Sequence, residues 1–318
     1  DGAVTTHTHD ALGRLIRCVD PEGGVTEQIW GPRGDREAVI DPLGRRSRYT
    51  HDRFGNLTGI THPDGSTEIL DYDALGRPVA ITDALGNRWR QTRDDTGRLT
   101  AAIDPEGGEM RWRYDGAGRV TAIAAGPGAG QPFAVTRLSY DAAGRVSAIT
   151  DPTGATSRFA YDRLGQVMVS IDPAGAVTRL QRDDRGRVIA ADLPDGGRIT
   201  AEYDGEGNLT RLVDPLGRET RNVYGAFDLL RETVDATGAA YRIAYDGDAR
   251  PVAITNPLGE TATLTWDRNG RLIAETDFGG RSWTYLRDAA GRMIERHEPD
   301  GDIRRFSYDE ADRLIAEE

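Results

Sequence analysis

The chain has no lysine, so all 40 of its basic residues are arginine, and its single cysteine, Cys18, excludes an intrachain disulfide and says nothing of a redox compartment. It also lacks an excess of positive charge. The formal net charge of −12 argues against nucleic acid and against anionic membrane surfaces as partners. No apolar run approaches the roughly 20 residues of a membrane-spanning helix, and no signal-peptide pattern opens the chain. Histidine is scarce, at five residues. His7 and His9 are two apart on one expected strand face, but no third ligand follows at a spacing a metal would use. Catalytic motifs are missing too. There is no Gly-x-Ser-x-Gly and no HExxH, and the glycine-rich "AAGPGAGQP" (Ala124 to Pro132) has no lysine and so is not a phosphate-binding loop. The tripeptide "RGD" at Arg33 to Asp35 sits in a degenerate corner, "GPRGD", and such a tripeptide arises easily by chance. These absences imply no catalytic residues, no metal and no cofactor, and therefore no enzyme.

What the chain has in abundance is glycine, 39 residues, placed by a repeat. An aspartate recurs at Asp10, Asp52, Asp73, Asp94, Asp115, Asp141, Asp162, Asp183, Asp204, Asp246, Asp267, Asp288 and Asp309, with Gly31 and Gly225 in the same slot of two degenerate copies. Neighbouring slots are 21 residues apart, except for 26 between Asp115 and Asp141. Of the fifteen copies, twelve have glycine three residues after the slot and ten have arginine one further on; ten have tyrosine or tryptophan just before it. Such a period marks a repeat architecture in which each copy contacts its neighbours.

Each copy has two corners. Asp at the first position and Gly at the fourth suit a type I turn, and proline is accepted at the second. "DPEG" (Asp104 to Gly107), "DPTG" (Asp151 to Gly154) and "DPAG" (Asp172 to Gly175) fit throughout, and "DAAG" (Asp141 to Gly144) fits without the proline. The runs between corners have the length of strands and alternate in polarity, as in Leu99, Ala101 and Ile103, then Met110, Trp112 and Tyr114. The fold class is therefore all-β: a long antiparallel strip of β-hairpin repeats over residues 1–318, with an inserted loop over 124–132. A flat ribbon of about thirty strands would reach on the order of 140 Å, and sheets of that size twist and curl. Coiling would leave a lumen behind a wall one sheet thick.

The residues expected to hold the repeat together are Tyr72, Asp73, Gly76 and Arg77; Tyr114, Asp115, Gly118 and Arg119; Tyr140, Asp141, Gly144 and Arg145; Tyr161, Asp162 and Gly165; and Tyr203, Asp204 and Gly207. The aspartates cap their own turns and are balanced by arginine. The aromatic rings are expected to form a ladder, each ring packing on the ring one repeat away across two strands, roughly 10 Å apart with neighbours filling between, in preference to an exposed sugar-stacking platform.

With "YDALGRPVAITDALGN", "YDAAGRVSAITDPTG" and "YDRLGQVMVSIDPAG", the chain resembles the YD repeats of the Rhs family, which includes bacterial Rhs polymorphic toxins, the C component of ABC toxin complexes and teneurins. The resemblance covers essentially the whole chain. It implies a strip spiralling into part of a hollow shell that encloses a C-terminal toxin domain, the cargo, which this chain lacks. It implies adjacent repeats of the parent chain as neighbours, secretion-apparatus or chaperone proteins as further partners, and a bacterial protein that is secreted or delivered at the cell surface, by type VI secretion in bacterial competition. The family's autoproteolytic Asp-Pro-x-Gly-Leu segment is not matched, because "DPLGRRS" (Asp41 to Ser47) and "DPLGRET" (Asp214 to Thr220) carry arginine where the motif has leucine. Both ends of the sequence cut through a repeat, as in a piece of a longer array. The competing expectation is an extracellular module that binds carbohydrate or protein on its outer face. That reading calls for a cluster of exposed aromatics, whereas Trp30, Trp89, Trp112, Trp266 and Trp283 are scattered.

Overall fold

The computed structural model describes residues 3–128 and 131–318. It holds thirty β-strands, from Thr6–His9 to Leu314–Glu317, and one 3-10 turn at Ala226–Asp228, with no α-helix among the described residues. The chain is all-β, as the two corners per repeat require. It forms two compact units. One consists of Asp1–Asn87, Gly225–Glu232 and Ala239–Glu318, and the other of Arg88–Tyr224 and Thr233–Gly238. Within each unit the pairings are antiparallel and join strands consecutive in sequence, as in Arg46–His51 with Leu57–Thr61 and Thr156–Tyr161 with Val167–Ile171.

The two hairpins of a repeat differ. At the Asp-Pro-x-Gly corner the register is regular: Ala148, Ile149 and Thr150 face Arg158, Ser157 and Thr156. At the Tyr-Asp corner it slips by one residue, because Ala160 faces Val169 while Tyr161 faces Val167. The same bulge recurs at Tyr72, Tyr114, Tyr140, Tyr203 and Trp266. A bulge adds local right-handed twist and bends its strand. One bulge per repeat therefore applies the same bend again and again.

Burial is shallow. The buried hydrophobic residues are Ala38, Ala80, Ala190 and Ala191, and among the described residues no large side chain is fully buried. A single sheet layer has no second layer to pack against, so its two faces differ in degree. In Thr156–Tyr161, Ser157, Phe159 and Tyr161 are half-buried while Arg158 and Ala160 are exposed. Thr261–Trp266 and Ser282–Arg287 alternate in the same way.

The five-residue insertion is partly absorbed by the ladder. The strands on either side of it, Val120–Gly126 and Ala134–Tyr140, are each 7 residues long, and Ala125 pairs with Ala134. Ala124–Gly126 thus belong to a strand and not to the loop expected over 124–132, since pairing satisfies backbone groups that a loop would leave to water. Residues 129 and 130 of that expected loop lie outside the described residues.

Both corners close alike. The Gly144 N–H donates to the Asp141 carbonyl at 3.0 Å and the Asp141 N–H to the Arg145 carbonyl at 2.8 Å; at the other corner the Gly154 and Asp151 N–H groups donate at 3.0 and 2.9 Å. The glycine takes φ of 82° at Gly144 and 92° at Gly154. Where the repeat lacks glycine the turn persists: Ala249 adopts φ of 63° and Asp312 64°. Left-handed backbone costs an L-residue about 1–2 kcal/mol. Gly144→Val, whose Cβ would also meet Arg119 Nη1 at 3.4 Å, is expected to destabilise by roughly 1–3 kcal/mol. Ala249→Gly is expected to stabilise by up to about 1 kcal/mol. Urea unfolding of the two variants checks both signs.

Candidate functional site in the corners and the lateral seam

The corner at Asp141 shows how the repeat is locked. Asp141 Oδ1 accepts the N–H groups of Ala143 and Arg145, each at 2.9 Å, and Arg145 Nε donates to Asp141 Oδ2 at 2.8 Å. The same guanidinium reaches the next repeat. Arg145 Nη1 donates to the Asp162 carbonyl at 2.9 Å, and the group lies 4.7 Å from the centre of the Tyr161 ring. Tyr161 in turn donates its hydroxyl to the Val146 carbonyl at 2.6 Å. One arginine thus joins its own turn, the next turn and the next aromatic ring. A planar guanidinium with five donors can do this, and an ammonium cannot.

The other expected residues take equivalent places. Arg77 Nε reaches Asp73 at 2.7 Å and Tyr72 reaches the Leu57 carbonyl at 2.8 Å, with Gly76 at φ of 74°. Tyr114 donates to Leu99 at 2.7 Å beneath Arg98. Arg119 binds Asp115 at 2.8 Å and covers Tyr140, which donates to Val120 at 2.6 Å; Gly118 has φ of 81°. Tyr203 donates to Val188 at 3.0 Å under Arg187. Two of the expected corners lack the arginine. Gln166 gives Asp162 only a backbone N–H at 2.9 Å, beside Gly165 at φ of 83°. Asn208 gives Asp204 an amide at 3.1 Å, beside Gly207 at φ of 107°.

The ladder of rings gains one detail. Aromatic side chains one repeat apart are separated by two strand spacings, about 9.6 Å, too far for rings to touch. The preceding arginine fills that gap. Among the described residues the ring–ring contact found is His7 with His9, centroids 6.5 Å apart, and no group of three or more metal-ligating side chains gathers there or elsewhere. The sequence reading also missed what the aromatic position selects, which is a donor. Trp30 and Trp266 give their indole N–H to Leu15 and Pro251 at 2.8 and 2.7 Å. Arg182 and Arg287 give guanidinium N–H to the equivalent carbonyls of Val167 and Leu272 at 3.3 and 3.2 Å. The signal was that the non-aromatic copies Arg93, Arg182 and Arg287 are also long donors.

A second arrangement has no counterpart in the repeat pattern. In the first unit, corners about twelve repeats apart meet. Arg45 Nη1 and Nη2 hold the Asp312 carboxylate at 2.6 and 3.1 Å, and Arg292 Nη1 reaches the same carboxylate at 2.7 Å. Arg313 stands 3.4 Å from Asp64, and Glu22 accepts the Arg268 N–H at 3.0 Å. Asp312 occupies a position that is glycine in twelve of the fifteen copies. Its left-handed backbone is retained, and its carboxylate joins the two edges. The Arg45 and Arg292 hydrogen bonds hold the Asp312 carboxyl below its usual range.

Family comparison agrees with this geometry. The RHS repeat model matches residues 32–67, 72–109, 134–156, 140–171, 161–198, 203–240, 245–282, 266–303 and 287–317, well over half of the chain. The chain belongs to the RHS repeat family. Among solved structures it is similar to a Photorhabdus luminescens Tc holotoxin pore, with a TM-score of 0.62 and 15% identity over 98% of this chain and 22% of that one. It is similar to a TcdB2–TccC3 crystal structure, with a TM-score of 0.62 and 16% identity over 98% and 23%. A TcdB2–TccC3 structure without its hypervariable C-terminal region gives a TM-score of 0.61 at 15% identity over 98% and 22%. The chain therefore spans less than a quarter of the length of these relatives, and at such identity the likeness is one of fold. Comparison with curated protein sequences found no match.

Two outcomes follow for the corners. Tyr161→Phe is expected to lose about 1 kcal/mol with its hydrogen bond. Tyr161→Ala is expected to lose about 2–3 kcal/mol, below the range of fully buried aromatics because the ring is half-exposed. The second outcome is acid lability. The carboxyl of Asp141 is lowered by the Arg145 backbone N–H and then its side chain, that of Asp246 by the Arg250 side chain, and Glu219 is pushed down to about 2 by Arg211 and then Arg221. A lowered folded value stabilises above the unfolded value, here 3.8 for aspartate, and the contribution fades as pH falls through the folded values. The melting temperature is expected to be level above about pH 5 and to drop steadily below about pH 4. A flat melting profile down to pH 2 would contradict the role given to these carboxylates.

Proposed function

We propose that this chain is a structural encapsulation module: a stretch of the β-shell wall of a bacterial Rhs-type toxin, non-catalytic, which shields a toxin domain lying C-terminal to it in the parent protein. The observation that carries this reading is the seam at Asp312. A strip one sheet thick can enclose something only if its corner edges meet, and here Glu22, Arg45 and Asp64 meet Arg268, Asp312 and Arg313 across about 250 residues of sequence. The uniform corners support it as well. They use their charged side chains on equivalent turns, as a wall built of repeated units would. The similarity to TcdB2–TccC3, whose chain carries a hypervariable C-terminal region, is in keeping with such a parent. Secretion or delivery by a bacterium, with secretion-apparatus or chaperone proteins as partners, belongs to the same proposal.

Limited proteolysis of the parent protein tests it. The C-terminal domain is expected to resist protease in the intact protein and to be digested several-fold faster with Asp312→Arg, which opposes Arg45 and Arg292 with a third cation. Digestion of the C-terminal domain as fast as the free domain would overturn enclosure and leave a surface-binding module as the better account.

A further inference from the structure

The insertion between Asp115 and Asp141 is the single break in the 21-residue phase, and the structure places a pocket beside it. In the second unit, Arg111, Arg113, Ala122, Ala124, Phe133, Val135 and Arg137 line a cavity of about 260 Å³. Its floor is set by strand register. Ala122 faces Arg113 on one side and Arg137 on the other, and Ala124 faces Arg111 and Val135. Directly opposed residues share a face of the sheet, so the arginines rise around two methyl groups. Phe133, from the segment after the insertion, closes one end and is braced by Arg111, whose guanidinium lies 4.7 Å from the ring centre. Arg111 is itself neutralised by Glu109 at 2.7 and 2.9 Å. Arg113 and Arg137 are exposed, and neither meets a carboxylate among the described residues. Position 113 is arginine in this repeat alone: the equivalent residues in the neighbouring copies are Thr92, Ser139, Ala160 and Gln181.

We propose that this pocket binds an acidic polypeptide segment. One carboxylate sits over Ala122 between Arg113 and Arg137, and an adjoining apolar side chain rests on Ala124, Val135 and Phe133. Guanidinium forks match carboxylates in geometry and charge, and the apolar floor favours a ligand whose anionic group is attached to a hydrophobic body. The same face extends the match. Arg158 and Arg179 take the place of Arg137 in the next two repeats and are exposed; Arg158 has no carboxylate partner among the described residues, and Arg179 stands opposite Asp192, whose carboxylate is taken by Arg198. The cross-strand row runs from Arg137 through Thr150 to Thr156, so Arg158 lies two residues further along its strand and the arginines are roughly 12 Å apart, a span that three residues of an extended polypeptide, about 10 Å, match to within the reach of an arginine side chain. A carboxylate at every third position therefore meets successive arginines. This inference rests on the pocket and not on which face of the sheet lines an enclosure.

Fluorescence anisotropy of the 318-residue chain with a labelled peptide of repeated Glu-Leu-Ala triplets tests it. Binding is expected, and is expected to weaken at least about tenfold in the Arg113→Gln/Arg137→Gln double variant, which loses two charge-assisted contacts. Ala122→Glu, which puts a carboxylate of the protein's own between the two arginines, should abolish binding while the melting temperature is kept. Arg242→Gln, an arginine of the same row that is already paired with Glu232 at 2.7 Å in the other unit, should leave binding unchanged. The proposal is overturned if the peptide does not bind, if the double variant or Ala122→Glu binds as well as the parent, or if a Gln-Leu-Ala peptide or oligouridylate binds as tightly.

Discussion

The fold depends on an aspartate carboxylate that receives two backbone N–H groups of its own turn while an arginine receives the carboxylate. At Asp141 one oxygen takes the two amides and the other takes the guanidinium. Neither contact is large alone, since exposed ion pairs contribute little. Their value lies in coupling. The Arg145 guanidinium is held in one pose by Asp141, so it meets the Asp162 carbonyl and the Tyr161 ring with little further loss of side-chain freedom. Repetition spreads this device along both units and makes each repeat the template for the next.

That arrangement explains how a chain without a deep core stays ordered. The buried hydrophobic residues among those described are alanines, and a single sheet cannot gain the burial that two packed layers gain. Ladder hydrogen bonds, corner locks and shallow side-chain contact between neighbouring strands replace it. The absence of lysine fits the same logic, because the corner demands a planar fork that holds an acid, accepts a ring beneath it and donates to a carbonyl.

Departures from the repeat are where the structure gains something other than length. Asp312 replaces a glycine, keeps its left-handed backbone, and brings Arg45 and Arg292 together at a seam. The insertion before Asp141 lies between two strands of 7 residues, and Phe133 closes one end of a pocket where Arg113 stands in place of the neutral Thr92, Ser139, Ala160 and Gln181 of neighbouring copies. In both places a local rule is broken and a contact appears that regular copies do not make.

The period, the two corners, the strand lengths and the left-handed glycines were legible in the sequence because they are local. Asp141, Gly144 and their equivalents act on residues within four positions, and turn chemistry of that range is written into consecutive residues. The arginine–tyrosine stack was half legible: both residues stood out in the repeat, but pairing Arg145 with Tyr161 and not ring with ring required the strand spacing and the bulge at Tyr161. The seam at Asp312 and the pocket at Ala122 were not legible. The first joins residues about 250 positions apart, and the second depends on which face of the sheet receives Arg113, Arg137 and Phe133. Sequence alone determined that this protein is a chain of equivalent hairpins. Tertiary structure decided which of those hairpins became unequal, because the contacts at Asp312 join corners that no local turn or strand pairing relates.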